Sequence, residues 1–204
     1  MSRSRSAFAR VASNPLVYRA HTALLGRARL EAAIAPVVAR VASPVDDGTV
    51  VDVGGGVAPY RSLWPPSWTY YVVDPDERVA DLTDDTGTIR RLTGAAERVP
   101  LGDATADNVF MSAVSHHLDD ATWEASLVEV RRLLKPDGAF LFLDGVWNPR
   151  RWVSRVGWFA DGGRHPRSTE TLEGDIGDVL TIESVDRLTL LHDVVIVVAR
   201  GERV

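Results

Sequence analysis

Cysteine is absent from the 204 residues of this chain, and lysine occurs once, at Lys135. The missing thiols exclude disulfides, cysteine-ligated zinc and thiol nucleophiles, and they suit a reducing, cytoplasmic setting. No apolar run approaches the roughly 20 residues of a membrane span, so we expect no membrane partner. Internal repeats are also lacking. The chain has a net charge of −5, and its length predicts one domain with a substantial core.

Charge is unevenly distributed along the chain. Residues 1–43 hold seven arginines and a single acid, Glu31. Such a start resembles a transit peptide or a nucleic-acid-binding arm. We favour a disordered start followed by one or two helices that cap a ligand cleft, which makes residues 1–48 a basic arm with cap helices. The acidic remainder argues against a nucleic-acid partner. An apolar series with helical spacing supports the cap: Leu24, Ala28, Ala32, Ala35 and Val38.

The most informative stretch is a strand-like run, 49–53, that carries Asp52 and enters three glycines. This order predicts a parallel strand followed by a turn tight enough for a ligand to lie against it. A second β-rich run ends in Asp74, where a carboxylate can accept hydrogen bonds from ribose hydroxyls. We therefore expect a cofactor that contains adenosine. The glycines are Gly54, Gly55 and Gly56.

Two residues argue against a dinucleotide. Pro59 stands where the dinucleotide pattern has its third glycine, and Asp52 would repel a pyrophosphate. A Tyr-x-x-x-Lys pair is also missing, which disfavours an NAD-dependent oxidoreductase. A cofactor without phosphate and with a cationic amino-acid end fits this carboxylate better, and S-adenosylmethionine is such a cofactor.

Five motifs in this order resemble the class I S-adenosylmethionine-dependent methyltransferases of the small-molecule, methyltransferase type 11-like kind. The resemblance implies an α/β, Rossmann-like, doubly wound, mostly parallel seven-stranded sheet with a C-terminal antiparallel hairpin, over residues 49–204. The motifs are Asp52-Val-Gly-Gly-Gly56, Val72-Val-Asp74, Ala95 to Ser112, Ser115-His-His-Leu-Asp119 and Val130 to Leu143.

Hydrophobic patterning places the elements of this fold. It predicts a helix that lies at 119–135, with Trp123 and Leu127 on its buried face. A polar crossover through Asp81–Asp85 carries either a helix or a third strand. Proline should cut short the helix after the glycine loop, because Pro65-Pro66 lacks the N–H groups that a helix needs. Strands are expected at 49–53, 69–73, 107–112 and 139–143, with β-rich runs at 179–191 and 194–199.

The resemblance also implies a cofactor site. The family often has an acid after its third strand that contacts adenine, and here alanine stands in that place. Adenine would then be held by backbone groups or by Glu97. The cofactor-binding residues implied are Asp52, Gly54, Gly55, Gly56, Asp74, Pro75, Ala96, Glu97 and Ser112.

Two adjacent histidines, His116 and His117, end the fourth strand, where the family places residues beside the methyl group. A hydroxyl acceptor benefits from a general base with a pKa near neutrality, which suits histidine. We expect His117, or else His116, to be that base; the alternative is that both are structural. Asp144, at the tip of strand five, could orient a histidine. His-His-Asp is not a hard oxygen cage, so no metal is expected.

An aromatic and basic segment, 146–171, interrupts the pattern after strand five. We interpret it as a lid that supplies substrate contacts. Alternatively, it is a surface helix with core tryptophans, or a platform on which bases stack.

The sequence thus predicts an S-adenosylmethionine-dependent methyltransferase that O-methylates a small molecule such as a sugar or natural product. C-methylation of a quinone precursor and a non-catalytic cofactor-binding partner are the alternatives. Nothing in the sequence indicates an oligomeric state.

Overall fold

The computed structural model describes residues 27–42, 46–76, 89–148, 164–190 and 193–201. Its strands are β1 Thr49–Val53, β2 Thr69–Asp74, β3 Ile89–Thr93, β4 Ala106–Ser112, β5 Leu134–Val146, β6 Thr181–Thr189 and β7 Asp193–Arg200. The helices in this described part are α1 Arg27–Ala42, α2 Asp120–Leu133 and α3 Thr169–Gly177. None of them is long and apolar enough to cross a bilayer.

The seven strands form one sheet in the order β3-β2-β1-β4-β5-β7-β6. Strands β1 to β5 pair in parallel, whereas β7 pairs antiparallel with both β5 and β6. This confirms the predicted α/β fold with its C-terminal antiparallel hairpin. The chain reverses its winding direction between β1 and β4, and the carboxyl edge at such a point is where open α/β sheets bind ligands.

Side chains alternate between two apolar cores because successive residues of a strand face opposite sides of the sheet. Val51 and Val53 of β1 join a core covered by α2 and α3. Val50 joins the opposite core, which α1 covers. Asp52 follows the same alternation and lies buried on the α1 side.

Helix α1 forms as predicted and buries Val38 of the predicted apolar series, but the rest of its buried face is set by other residues. Ile34, Val38 and Val41 are buried, whereas Ala28 and Ala32 are exposed. Larger aliphatic side chains remove more apolar surface from water, so they, rather than the alanines, set the packed face. The helix shares its core with the sheet strands. Residues 1–26, which include the rest of the predicted arm, lie outside the described residues.

The helix expected at 119–135 begins and ends slightly inside those bounds. Asp119 is its N-cap and accepts a hydrogen bond from Thr122 N at 2.9 Å. Leu134 is already extended, because a residue before proline, here Lys135 before Pro136, avoids helical geometry and ends the helix upstream. Lys135 therefore does not sit at the helix end as expected. Its Nζ donates to Asp107 Oδ2 at 2.7 Å.

Between β1 and β2 the chain forms only a short 3₁₀ turn, Arg61–Leu63, as the proline pair predicted. The Arg61 guanidinium donates to four backbone carbonyls of the following turn, those of Trp64, Pro65, Pro66 and Trp68. One cation therefore replaces the missing helical hydrogen bonds. The third strand left open by the sequence is β3, while the polar crossover at 81–85 lies outside the described residues.

Candidate functional site

The glycine loop leaves β1 through two left-handed residues. Gly54 has φ +71° and Gly56 has φ +50°, a region that L side chains rarely adopt. Gly54 N donates to Val73 O at 2.7 Å, which ties the loop to β2. A Cβ at Gly56 would meet only Asp74 Oδ2, at 3.9 Å, within 4 Å. The missing side chain therefore leaves open space beside that carboxylate.

The Asp74 carboxylate is held by backbone on both sides. Its Oδ2 accepts from Gly56 N at 3.1 Å, and its Oδ1 accepts from Asp76 N at 2.9 Å. Each carboxylate oxygen has two lone pairs, so one on each oxygen remains to accept from a ligand hydroxyl. Pro75 follows at the exposed tip of the strand. This arrangement suits a ribose diol lying along the glycine loop.

Asp52 lies beneath the same loop and is 1% exposed. A Cβ at Gly55 would approach its Oδ2 to 2.4 Å, so the loop backbone rests directly on this carboxylate. Tyr70 donates a hydrogen bond of 2.6 Å to that oxygen. Burial raises the pKa of Asp52 from 3.8 to about 7; the Tyr70 hydrogen bond opposes the rise and the charge of Asp74 adds to it.

The predicted adenine contacts form a tight turn after β3. Arg98 N donates to Ala95 O at 3.1 Å, which closes the turn around Ala96 and Glu97. Ala96 is half-buried against the core, whereas Glu97 is exposed. Gly94 N donates to Asp74 O at 3.2 Å, so the turn lies next to the end of β2. The contact of this turn with adenine stays a prediction.

Strand β4 delivers Ser112 to the same edge, followed by a strained residue. Ala113 has φ +57° and donates its N–H to Leu143 O at 2.8 Å. Val114 then turns toward β1: a Cβ at Gly54 would lie 2.4 Å from its Cγ2. The glycine loop is thus in contact with the segment that leads directly to the histidines.

The two histidines have different surroundings. His116 is 4% exposed, and its Nδ1 lies 2.6 Å from Asp144 Oδ1. Ser115 Oγ donates to the other oxygen of Asp144 at 2.5 Å. His117 is exposed, and its ring stacks on that of His116 with centroids 4.2 Å apart. A 3₁₀ turn rotates adjacent side chains by about 120°, so only one of the pair can face Asp144. The sequence favoured His117, and the structure pairs His116.

The far end of the predicted lid returns to this histidine loop. Arg164 N and His165 N both donate to His116 O at 3.1 Å. The buried Arg167 guanidinium donates to Ser115 O at 2.6 Å, as well as to Leu118 O and Asp120 Oδ1. Most of the lid, 149–163, lies outside the described residues, and 169–171 belong to α3.

Sequence reasoning missed several residues of this site. Tyr70 fell within the predicted second strand, Arg91 in a stretch without an assigned element, and Arg167 within the predicted lid. A tyrosine or arginine gives no positional signal by itself. Ser115 was quoted only as part of a motif. Register was the missing information, since it places side chains of neighbouring strands side by side. Within the described ranges, no three His, Asp or Glu side chains are grouped so as to hold a metal ion.

Comparison with known proteins finds methyltransferases in both the family and the relatives that this chain resembles. Residues 51–142 match the family model described as methyltransferase domain. The ubiquinone/menaquinone biosynthesis C-methyltransferase UbiE of Rubrivivax gelatinosus is 31% identical over 118 residues, 56% of this chain and 45% of that protein. Dimethylglycine N-methyltransferase of Parasynechococcus marenigrum is 33% identical over 106 residues, 48% of this chain and 37% of that protein. The chain thus spans less than half the length of these curated relatives.

A solved structure shares the fold. Geranyl diphosphate C-methyltransferase from Streptomyces coelicolor A3(2), crystallised with Mg²⁺, geranyl diphosphate and S-adenosyl-L-homocysteine, matches with a TM-score of 0.66 at 16% identity. The match covers 86% of this chain and 78% of that one. Motif order, sheet topology and the match of residues 51–142 to the methyltransferase-domain model agree, and together they support a class I S-adenosylmethionine-dependent methyltransferase.

Proposed function

We propose that this protein transfers the methyl group of S-adenosylmethionine to a hydroxyl oxygen of a small molecule, with His116 as general base. The observation that carries the proposal is the 2.6 Å contact between His116 Nδ1 and Asp144 Oδ1. His116 lies on the loop that follows Val114, and the Val114 side chain packs against Gly54 of the glycine loop. His116 is therefore two residues along the chain from a side chain that packs against the glycine loop.

The cofactor assignment is supported by the chemistry of the donor set. Asp74 offers acceptors for a ribose diol, and the open space at Gly56 lies beside it. Asp52 suits the cationic methionine end of S-adenosylmethionine. This cofactor has no phosphate group that the carboxylate would repel. When bound, S-adenosylmethionine supplies a methyl group on a good leaving group, so the protein contributes alignment and proton removal.

The proton path is set by Asp144. Because Asp144 accepts from Nδ1–H, the imidazole is held in the tautomer whose Nε2 takes up a proton. His116 Nε2 would take up the acceptor's hydroxyl proton, which would leave the oxygen free to form its bond to the transferred methyl group. Positioned general bases contribute about 10² to 10⁴ in rate.

A second candidate, C-methylation of an activated ring, is favoured by the similarity to the C-methyltransferase of Rubrivivax gelatinosus. A base that deprotonates a ring hydroxyl would serve that reaction too. The two candidates differ in their product: an O-methyl ether or a new carbon–carbon bond. Mass spectrometry and carbon NMR of the product distinguish them.

The first experiment is calorimetric titration with S-adenosylhomocysteine, with NADH in a parallel cell. We expect binding of S-adenosylhomocysteine alone, and its loss in Asp74→Asn. Asp103→Asn is the control, because Asp103 is exposed and pairs only with Arg132 among the contacts described. Binding of NADH alone, or of neither compound, would sink the proposal. A screen of hydroxylated acceptors with labelled S-adenosylmethionine then tests the transfer.

A further inference from the structure

We propose that Arg91 is a positioning residue of the cofactor loop, which holds the Gly56 peptide in place and balances the two carboxylates beside it. The inference rests on the proposed cofactor, and it concerns a strand to which the proposed function gives no part.

Arg91 reaches the glycine loop from two strands away. Val72 pairs with Asp52 on one side and with Arg91 on the other. Residues in register on neighbouring strands point to the same face, so Arg91 and Asp52 share the α1 side of the sheet. Their backbones are about 10 Å apart, two strand spacings. A long, half-buried arginine side chain can cover this distance.

The contacts of Gly56 show what the side chain does. Arg91 Nη1 donates to Gly56 O at 3.0 Å, while Gly56 N donates to Asp74 Oδ2 at 3.1 Å. The backbone of this left-handed residue is thus held at its N–H by β2 and at its carbonyl by β3. Hydrogen bonds with a charged partner are roughly twice as strong as neutral ones. Arg91 therefore fixes the loop where the ribose is expected to lie.

Charge gives Arg91 a second effect. Asp52 and Asp74 repel each other, and this repulsion raises the pKa of Asp52, whereas the positive charge of Arg91 lowers it. Burial raises the pKa of Tyr70, the hydrogen-bond donor to Asp52, and the charges of Arg61 and Arg91 oppose that rise. The groups that set the ionisation of this site are therefore Asp52, Asp74, Tyr70, Arg61 and Arg91.

The test compares two adjacent arginines of β3 by calorimetry with S-adenosylhomocysteine. Arg91→Met should weaken binding about 10- to 100-fold, the range expected for one hydrogen bond to a charged group. Arg90→Met is the matched control, because Arg90 is exposed and contacts Tyr71. It should bind like the wild type. Arg91→Lys keeps the charge and should recover part of the affinity.

The pH dependence of binding separates positioning from general destabilisation. If ionised Asp52 favours the cofactor, affinity falls as Asp52 takes up its proton. Without Arg91 that fall should begin at higher pH, and Arg91→Lys should restore the wild-type profile. If Arg91→Met does not fold, Arg91→Lys and Arg91→Gln carry the comparison.

The outcomes are separable. Failure of the wild type to bind S-adenosylhomocysteine would remove the proposed function itself. Wild-type binding together with unchanged affinity and pH profile in the Arg91 variants would overturn only the role of Arg91. If Arg90→Met lost as much affinity for S-adenosylhomocysteine as Arg91→Met, the role of Arg91 would also be overturned.

Discussion

Tyr70 donates a 2.6 Å hydrogen bond to Asp52, and both side chains are fully enclosed beneath the glycine loop. The pair lies on adjacent strands of the α1 side of the sheet. Burial raises the pKa of Asp52 to about 7 and that of Tyr70 well above 10. The phenol therefore remains a donor, and the carboxyl group titrates near neutrality.

This pair predicts a pH dependence of stability. The folded state keeps the Asp52 proton up to about pH 7, whereas the unfolded chain releases it near 3.8, so this group lowers stability as pH rises between those values. Asp52→Asn removes the effect. Relative to the wild type, the free energy of unfolding of the variant should rise by up to about 4 kcal/mol between these two pH values, at about 1.4 kcal/mol per pKa unit. Urea unfolding at several pH values measures it, and a constant difference between the two proteins would contradict it.

The glycine loop predicts two different outcomes for the same substitution. Gly54→Ala places a methyl group against Val114 at a positive φ, so we expect a loss of stability well above the 1 kcal/mol or so of the conformational cost alone. Gly56→Ala meets open space and should cost only about 1 kcal/mol, yet it should weaken cofactor binding. Thermal unfolding and calorimetry separate the two effects. Equal loss of stability in both variants would contradict the tight packing at Gly54 and the open space at Gly56.

The histidine pair predicts a selective loss of catalysis. His116→Gln removes the base paired with Asp144, so kcat should fall by about 10² or more while S-adenosylhomocysteine still binds. Asp144→Asn should act in the same direction, because an amide favours the wrong tautomer. His117→Gln is the matched control and should retain most activity. Rates are measured with any acceptor found in the screen, and a larger loss in His117→Gln would reverse the assignment.

The hydrogen bonds of Arg167 should make a measurable contribution to the stability of the fold. Its buried guanidinium holds Ser115 O and Leu118 O and also bonds to Asp120. Arg167→Met leaves these carbonyls without their charged donor, and we expect a loss of about 2 to 4 kcal/mol. Arg187→Met, which removes an exposed ion pair with Glu173, should change stability by less than about 1 kcal/mol. Chemical denaturation of both variants provides the comparison.

The sequence predicted most of the sheet because six of its seven strands carry their own signal. Apolar runs that carry Asp52 and Asp74 located β1 and β2, and the β-rich runs at 179–191 and 194–199 located the C-terminal hairpin. Strand β3 was not located, because Ile89-Arg-Arg-Leu-Thr alternates only weakly and its burial comes from pairing with β2. Edge strands depend on tertiary context more than on composition.

The sequence predicted where the glycine loop and the strand ends of the site lie, but not in which direction its side chains point. Glycines and strand-end acids mark a loop by position, so Gly54, Gly56 and Asp74 follow from the sequence. The choice between His116 and His117 depends on the direction in which a 3₁₀ turn points each ring, and no periodic pattern records that direction. Arg91 acts across two strands, a relationship that only the register reveals.

The placement of β7 between β5 and β6 has a consequence for how the chain assembles. Strand β6 is made first but has no neighbour until β7 pairs with both it and β5. During synthesis, the edge of β5 therefore stays unpaired until β7 has emerged. Until then an open edge is available for misassociation. Pairing of β7 with both β5 and β6 closes that edge, and it covers the backbone groups through which another chain could pair.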